Sequence, residues 1–254
     1  MQATGSYHSD PDKQDFGDID LVVHIQSDAD KAQVKRDLAQ FLQAQPETVI
    51  VPFGGEKHAG KRTYNAGELV SVRFHSDSVG DSAQIDNIIA LSPSEAEYKS
   101  GFLNYPAPKQ GLILGLVKVA AQETDPARLF DMLGIDLDPK LPENQEWEFN
   151  ISPVELQLRQ VTYEPGTTKQ VHRDIVWRSR DIGDLQTLLY QYDLDTPFED
   201  LLAQAQRTVQ NPRSGPRIVG LFQSMITVKS GEVGTPKAQQ KQQALAQIQR
   251  SFTS

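Results

Sequence analysis

The hydrophobic positions of the chain repeat with two different periods, which predict strands in some segments and helices in others. In the amino-terminal part, apolar and polar residues alternate at the two-residue spacing of half-buried strands. The predicted strands cover residues 18–25, 68–75 and 82–91. Val34, Leu38 and Leu42 recur at helical spacing ahead of Pro46, which predicts a helix between the first two strands. This order predicts an α+β (mixed α/β) fold, in which a mixed sheet is flanked by helices.

Beyond residue 92 the pattern predicts mainly helices and one β-hairpin. Helices are predicted to begin at Pro93 and to cover residues 109–122, 125–134, 184–192, 197–209 and 236–250. Two strands, 155–163 and 170–177, flank the turn-forming residues Pro165-Gly166-Thr167 and predict the hairpin. Residues 216–228 are apolar enough to form either a helix or a strand.

The length of 254 residues is compatible with one or two domains. A run rich in Asp, Pro and Glu over residues 136–146 is the predicted linker. It separates a first domain, 1–135, from a carboxy-terminal region, 147–254, that contains the hairpin and the later helices.

The composition describes an ordinary globular protein, with 38% hydrophobic and 23% charged residues. The absence of cysteine excludes disulfides, thiolate metal sites and a cysteine nucleophile. The longest mainly apolar run, 111–121, is shorter than the roughly 20 residues that a membrane-spanning helix needs. With no basic-then-apolar leader at its start, the chain is expected to be cytoplasmic and to have no membrane partner.

The net charge of −9 is unevenly distributed along the chain. Residues 201–254 contain seven basic residues and the single acid Glu232, a net charge of +6, so residues 1–200 carry −15. Such asymmetry is typical of a segment that faces an anionic partner. A solvated helical end is the alternative interpretation, and the sequence leaves both open.

Three aspartates on predicted strands form the most informative pattern. Gly5-Ser6 is followed, twelve residues after the serine, by Asp18 and Asp20 at the start of a strand. Residues i and i+2 of a strand point to the same face, so these two carboxylates should lie side by side. Asp86 stands on a later predicted strand among apolar neighbours. Carboxylates that converge are costly unless a cation lies between them, and hard divalent cations favour such oxygen ligands.

This combination resembles the signature of the DNA polymerase beta-like nucleotidyltransferase superfamily, in particular the palm of family X DNA polymerases. Gly-Ser, then Gly-Asp-x-Asp on a strand, then one Asp on a later strand carry the resemblance. The separation of 66 residues between Asp20 and Asp86 is similar to that in these polymerases. The segment 91–105 also resembles the aromatic-containing helix that leads into their nucleotide-binding thumb. The likeness covers roughly residues 4–122, and nothing beyond about residue 135 resembles a known family.

The resemblance implies an enzyme that moves a nucleoside monophosphate from a nucleoside triphosphate, such as ATP, to an acceptor hydroxyl, with release of pyrophosphate. It implies that Asp18, Asp20 and Asp86 hold two Mg²⁺ ions, with Mn²⁺ as a possible substitute. It also implies that Asp86 helps to activate the acceptor, and that Gly5 and Ser6 contact the phosphates.

The chain also departs from the family pattern. Tyr7 and His8 stand where family X polymerases usually carry arginines, so other cations are needed for the triphosphate. The candidates are Lys57, Lys61, Arg62 and Arg73, each of which has a solvated surface charge as its alternative interpretation. Only four residues precede Gly5, which implies a stunted first strand or a start inside a longer protein.

Further alternatives concern the acceptor and the aromatic stripe. A nucleic-acid 3′ end is the favoured acceptor, because of the family X resemblance and the +6 segment. Nucleotidylation of a small molecule or a protein, and a non-catalytic binding module that kept the fold, are the alternatives. Tyr98, Phe102 and Tyr105 follow one helical stripe, for which core packing is expected and a base-stacking platform is the second interpretation.

Overall fold

A computed structural model of the protein describes residues 2–4, 18–25, 30–53, 59–76, 81–209, 211–226, 228 and 233–253. The chain forms two compact units, Met1–Pro106 (unit 1) and Ala107–Ser254 (unit 2). This division falls earlier in the chain than the boundary predicted at residue 135. The combination of helices with a mixed sheet and an antiparallel sheet confirms the α+β fold class.

Unit 1 is built around a mixed sheet. Its strands are β1 (Gln2–Thr4), β2 (Ile19–His24), β3 (Ile50–Val51), β4 (Thr63–Ala66), β5 (Leu69–Ser76) and β6 (Asp81–Ala90), and its helices are α1 (Lys31–Gln43) and α2 (Pro93–Leu103). The strand order is β1-β2-β6-β5-β3, and β4 pairs with β5 as well. β2 and β6 are parallel, whereas the other pairs are antiparallel. The three strands and the helix predicted before residue 92 are thereby confirmed.

Helix α1 covers one face of this sheet. Its buried residues Ala39 and Leu42 pack against Ile50, Val70 and Val72. Val70 and Val72 alternate with polar residues along β5, which is the two-residue period that predicted the strand. The other residues that join this cluster are Leu38, Phe74 and Ile85.

Helix α2 packs on the opposite face. Ala96 lies against a second apolar cluster that contains Val22, Ile88 and Ala90. The helix begins where the sequence predicts, because Ser92 accepts a hydrogen bond from the Glu95 amide at 3.1 Å and Pro93 occupies the first turn.

The aromatic stripe on α2 belongs to the core. Tyr98 and Phe102 are both 0% exposed, and their ring centroids are 6.5 Å apart in nearly parallel planes. Burial of both rings confirms core packing and excludes a base-stacking platform at these two positions.

Two lysines and two glutamates form an ion cluster at one end of the sheet. Glu95 of α2 accepts hydrogen bonds from Lys31, the first residue of α1, and from Lys99. Glu68, in the turn between β4 and β5, accepts from the same two lysines at 2.5 and 2.9 Å. Lys99 also donates to the Ile89 carbonyl of β6 at 2.6 Å. The cluster therefore connects both helix layers to the sheet between them.

Unit 2 combines a three-stranded antiparallel sheet, in the order β7-β8-β9, with helices. The strands are β7 (Gln145–Ile151), β8 (Leu156–Tyr163) and β9 (Gln170–Ser179), and the helices are α3 (Ala107–Glu123), α4 (Pro126–Leu133), α5 (Ile182–Leu188), α6 (Phe198–Thr208), α7 (Ser214–Met225) and α8 (Pro236–Thr253). The predicted hairpin is confirmed by the antiparallel pairing of β8 with β9. The ambiguous segment 216–228 is helical over most of its length.

Helix α3 is the core element of unit 2. Its central residues are buried around most of the helix circumference, as expected for a helix without a polar face. Gly111 permits a close approach of the end of α7, because a Cβ at Gly111 would lie 2.9 Å from a side-chain carbon of Ile226, the residue that follows this helix. A Cβ at Gly115 would make an ordinary contact with Ile218 at 3.5 Å.

The acid-rich run 136–146 packs against unit 2. Trp147 donates a hydrogen bond from Nε1 to the Pro139 carbonyl at 2.9 Å and packs edge-on against Phe130 of α4, with ring centroids 5.3 Å apart. These contacts connect the predicted linker to α4, and α3, α4 and the linker all belong to unit 2.

In the part of the chain that the structure describes, no helix combines the length and apolar character needed to cross a bilayer.

The ion cluster should stabilise unit 1 strongly. Replacing Glu95 with Gln leaves Lys99, whose side chain is 1% exposed, without one of its two carboxylate partners. We expect a loss of about 3 kcal/mol or more in the free energy of opening unit 1. Amide hydrogen exchange of β6 peptides measures this, and Glu97→Gln, at an exposed position on the same helix, is the matched control. Equal exchange in both variants would contradict the prediction.

The same cluster predicts acid sensitivity. Burial by itself raises the pKa of Glu95, but hydrogen bonds from Lys31 and Lys99 outweigh it and lower that pKa from 4.5 to about 2. The contribution of Glu95 to stability is therefore complete above pH 4.5 and is lost as the pH falls toward 2. Wild-type β6 protection should fall steeply in this range, whereas Glu95→Gln should show a shallower decline. Parallel pH profiles of the two proteins would refute this role.

A second stability prediction concerns Gly215 of α7. A Cβ there would lie 2.7 Å from the Phe252 carbonyl oxygen of α8, closer than packed atoms permit. Gly215→Ala should lower the free energy of unfolding by about 1–3 kcal/mol. Gly115→Ala is the control, because its added Cβ meets only ordinary contacts at 3.5–3.8 Å and gains helix propensity. Chemical denaturation followed by Trp147 and Trp177 fluorescence compares them, and similar midpoints would contradict the packing argument.

Candidate active site

Asp20 and Asp86 lie side by side in the sheet of unit 1. β2 and β6 are parallel neighbours, and their register pairs Asp20 with Asp86. Paired residues on adjacent strands are about 5 Å apart and point to the same face. β5 lies along the other edge of β6 and places Ser71 opposite Asp86. Asp20, Asp86 and Ser71 thus form one row across the sheet, which we call the carboxylate row. It brings together two acids that are distant in the chain.

The carboxylate row is largely shielded from solvent. Asp86 is 9% exposed and Ser71 is 1% exposed, while Asp20 is half-buried. Gln84 donates a hydrogen bond from Nε2 to Oδ1 of Asp86 at 3.0 Å, which orients that carboxylate. Like charges at paired positions of neighbouring strands repel each other, and a hard cation between them would offset that repulsion.

The carboxylate row marks the change from an apolar to a polar surface on this face. Two residues further along the parallel strands, Val22 and Ile88 belong to the apolar cluster beneath α2. Two residues before Asp86, Gln84 is already polar. Asp20 lies near the start of β2 and Asp86 in the middle of β6, so on this face each acid is followed by a residue that the apolar core anchors.

Arg73 is a predicted nucleotide-binding residue that shares the face of the carboxylate row. It follows Ser71 by two positions on β5, and its register partner on β6 is Gln84. Its Nη2 donates to Oγ of Ser82 at 2.5 Å. Arg73 therefore supplies a positive charge opposite Gln84, two residues from Asp86 along β6, where it suits an anionic ligand.

Asp18 precedes β2 and is exposed. Among the residues that the structure describes, no three His, Asp or Glu side chains form a group that could hold a metal ion, so Asp18 does not complete a three-ligand set with Asp20 and Asp86. The donor chemistry of the pair still fits Mg²⁺, because this ion is usually held by one or two carboxylates together with substrate phosphates and waters.

Arg62, another predicted nucleotide-binding residue, binds the end of α1. Its guanidinium donates to the carbonyls of Gln43 at 2.7 Å and Ile50 at 3.2 Å, and also to the Gln45 carbonyl. Because α1 covers the face opposite the carboxylate row, these contacts direct Arg62 away from Asp86. Cations near a helix carboxy-terminus satisfy its last carbonyls and its dipole, which gives Arg62 a structural role.

The remaining predicted contacts are less defined. Lys61 is exposed, and its carbonyl accepts a hydrogen bond from the Phe53 amide at 2.8 Å. Gly5, Ser6 and Lys57 lie outside the described residues, so their predicted phosphate contacts stay predictions.

Sequence reasoning missed Ser71 and Gln84. Gln84 precedes Asp86 by two residues, so strand alternation alone places it on the same face. Ser71 had no comparable signal, because it meets Asp86 only through the antiparallel pairing of β5 with β6.

No protein-family model, no curated protein and no solved structure matches this chain. The resemblance to the nucleotidyltransferase superfamily therefore depends on the motif residues themselves, and it stays a prediction.

The contacts of Arg62 predict a stability effect. Arg62→Met removes hydrogen bonds to three carbonyls near the end of α1 and should lower the free energy of opening this region by about 3 kcal/mol. Hydrogen exchange of α1 and β3 peptides measures the change, with Lys61→Met as an exposed control that should shift it by less than about 0.5 kcal/mol. A variant that loses nucleotide affinity while keeping full stability would instead make Arg62 a ligand-binding residue.

Proposed function

We propose that the protein is a metal-dependent nucleotidyltransferase that moves a nucleoside monophosphate from a nucleoside triphosphate to an acceptor hydroxyl. The observation that carries this proposal is the parallel register of β2 and β6, which pairs Asp20 with Asp86 on one face of the sheet. The chain has 65 residues between these acids, and a chance pair of acids has no reason to meet in register on one face.

The carboxylate row would supply the cation site of the reaction. Asp20 and Asp86 would hold Mg²⁺, with phosphate oxygens of the nucleotide and waters as further ligands. The ion supplies charge neutralisation for the triphosphate and for the transferred phosphoryl group. Gln84 would keep Asp86 oriented through its hydrogen bond.

In the proposed reaction, the acceptor oxygen forms a bond to the α-phosphorus while the bond from that phosphorus to the bridging oxygen of pyrophosphate breaks. The acceptor hydroxyl would pass its proton to the carboxylate of Asp86. Arg73 would neutralise part of the triphosphate charge from the neighbouring position on the sheet.

The acceptor proposed here is the 3′ end of a nucleic acid. The support is the net charge of +6 over residues 201–254 in a chain whose overall charge is −9, because a basic segment favours a polyanionic acceptor. Transfer to a small molecule or to a protein uses the same chemistry, so the assay below includes those acceptors.

Pyrophosphate release tests the proposal. Purified protein is incubated with Mg²⁺, each α-labelled nucleoside triphosphate in turn, and oligonucleotide, small-molecule or protein acceptors. We expect pyrophosphate and labelled acceptor in equal amounts, and a loss of at least about 100-fold in rate for Asp20→Asn and for Asp86→Asn. The matched control is Asp30→Asn, because Asp30 is exposed at the start of α1 and its side chain makes no capping hydrogen bond.

Two results would count against the assignment. Full activity in Asp20→Asn or Asp86→Asn would remove the carboxylate row from the reaction. Binding of nucleotide without turnover on any acceptor would favour a non-catalytic module that kept the fold.

A further inference from the structure

The basic carboxy-terminal segment is concentrated on three helices of unit 2. Residues 201–254 carry a net charge of +6, although the whole chain carries −9. The described part of this segment, which includes α7, α8 and most of α6, contains no acidic residue. The first turn of α6 holds Glu199 and Asp200, at the opposite end of that helix from its basic residue Arg207.

Two contacts bring the arginine-bearing ends of these helices together. Near the end of α6, Gln206 donates from Nε2 to the Ser251 carbonyl of α8 at 3.4 Å. At the start of α7, a Cβ on Gly215 would be only 2.7 Å from the Phe252 carbonyl oxygen, so the two backbones are in close contact. The end of α6, the start of α7 and the end of α8 thus meet at one end of the helical layer.

Four exposed arginines lie at this meeting point, which we call the arginine end. They are Arg207 in the last turn of α6, Arg213 and Arg217 at the start of α7, and Arg250 in the last turn of α8. Arginines that are far apart along the segment are therefore brought to one end of the helical layer.

Helix stabilisation accounts for only half of this cluster. Arg207 and Arg250 lie at helix carboxy-termini, where a cation complements the helix dipole. Arg213 and Arg217 lie at a helix amino-terminus, where the dipole is already positive and where the first turn of α7 has no acidic residue. Their spacing of four residues also places like charges on one helix face, which destabilises a helix. Helix stabilisation therefore does not account for this pair.

We propose that the arginine end binds the phosphate backbone of a nucleic-acid strand. Arginine presents a planar, multidentate donor that matches phosphate geometry. The large exposed apolar residues of unit 2 in the described chain do not include a residue of the α6 end, the α7 start or the α8 end, so this surface lacks the apolar anchors of a membrane-binding helix. The inference rests on the proposed function only where it identifies this strand as the acceptor.

The test measures binding of a fluorescent single-stranded oligonucleotide to the full chain over a range of salt concentrations, without metal or nucleoside triphosphate. We expect Arg213→Gln combined with Arg217→Gln to weaken binding about tenfold and to reduce the slope of log affinity against log salt by about 1.4, or 0.7 for each lost phosphate contact. The thermal unfolding midpoint should stay unchanged or rise, since a repulsive pair is removed.

The matched control is Arg128→Gln combined with Lys140→Gln, which removes two exposed charges from unit 2 outside the arginine end. It should change the affinity by less than about twofold, because non-contacting charges act only through a screened field. Equal effects of the two double variants, or no binding by the wild-type protein, would overturn the inference. Binding to anionic phosphatidylserine vesicles but not to the oligonucleotide would overturn it in favour of a membrane surface.

The result is separable from that of the transfer reaction. Since no metal or triphosphate is present, oligonucleotide binding does not depend on Asp20 or Asp86. Binding without pyrophosphate release would support the arginine end and reject the proposed function. Pyrophosphate release without this binding would support the proposed function and reject the arginine end.

Discussion

The architecture of unit 1 depends on the pairing of four oppositely charged side chains at a poorly solvated position. Lys31, Glu68, Glu95 and Lys99 alternate in sign, so each is held by at least one opposite charge. Removing charged groups from water costs several kcal/mol per ion, which only well-placed partners offset. Because these residues come from α1, the β4–β5 turn and α2, the requirement for partners fixes both helices against the sheet.

This constraint also affects the candidate site. Lys99 donates to the Ile89 carbonyl of β6, three residues beyond Asp86 on the same strand. The ion cluster therefore fixes the end of β6 that follows Asp86. Fixed strands are what a pair of like-charged carboxylates needs, since repulsion would otherwise move them apart. The ion cluster pairs opposite charges, whereas the carboxylate row places two acids at paired positions of neighbouring strands.

Much of this arrangement could be predicted from the sequence, because strand alternation and helical spacing are local. The strands that hold Asp20 and Asp86, the helix α1 and the hairpin β8–β9 all follow from such patterns. The role of Arg62 could not be predicted, because it depends on main-chain carbonyls near the end of α1 that come within reach of its guanidinium only after folding. The position of Trp147 against Phe130, which holds the acid-rich run within unit 2, is likewise a tertiary contact with no local signature. Local residue propensities therefore identify helices and strands, whereas strand pairing and side-chain packing decide which residues come into contact.

The central position of β6 limits where the length of this chain can change. Its neighbours β2 and β5 hold it from both edges, so a slip of one residue would turn Asp86 to the opposite face. An insertion or deletion of one residue within the paired part of β2 or β6 would therefore separate the two acids, whereas a change of length in the connections would leave their pairing intact.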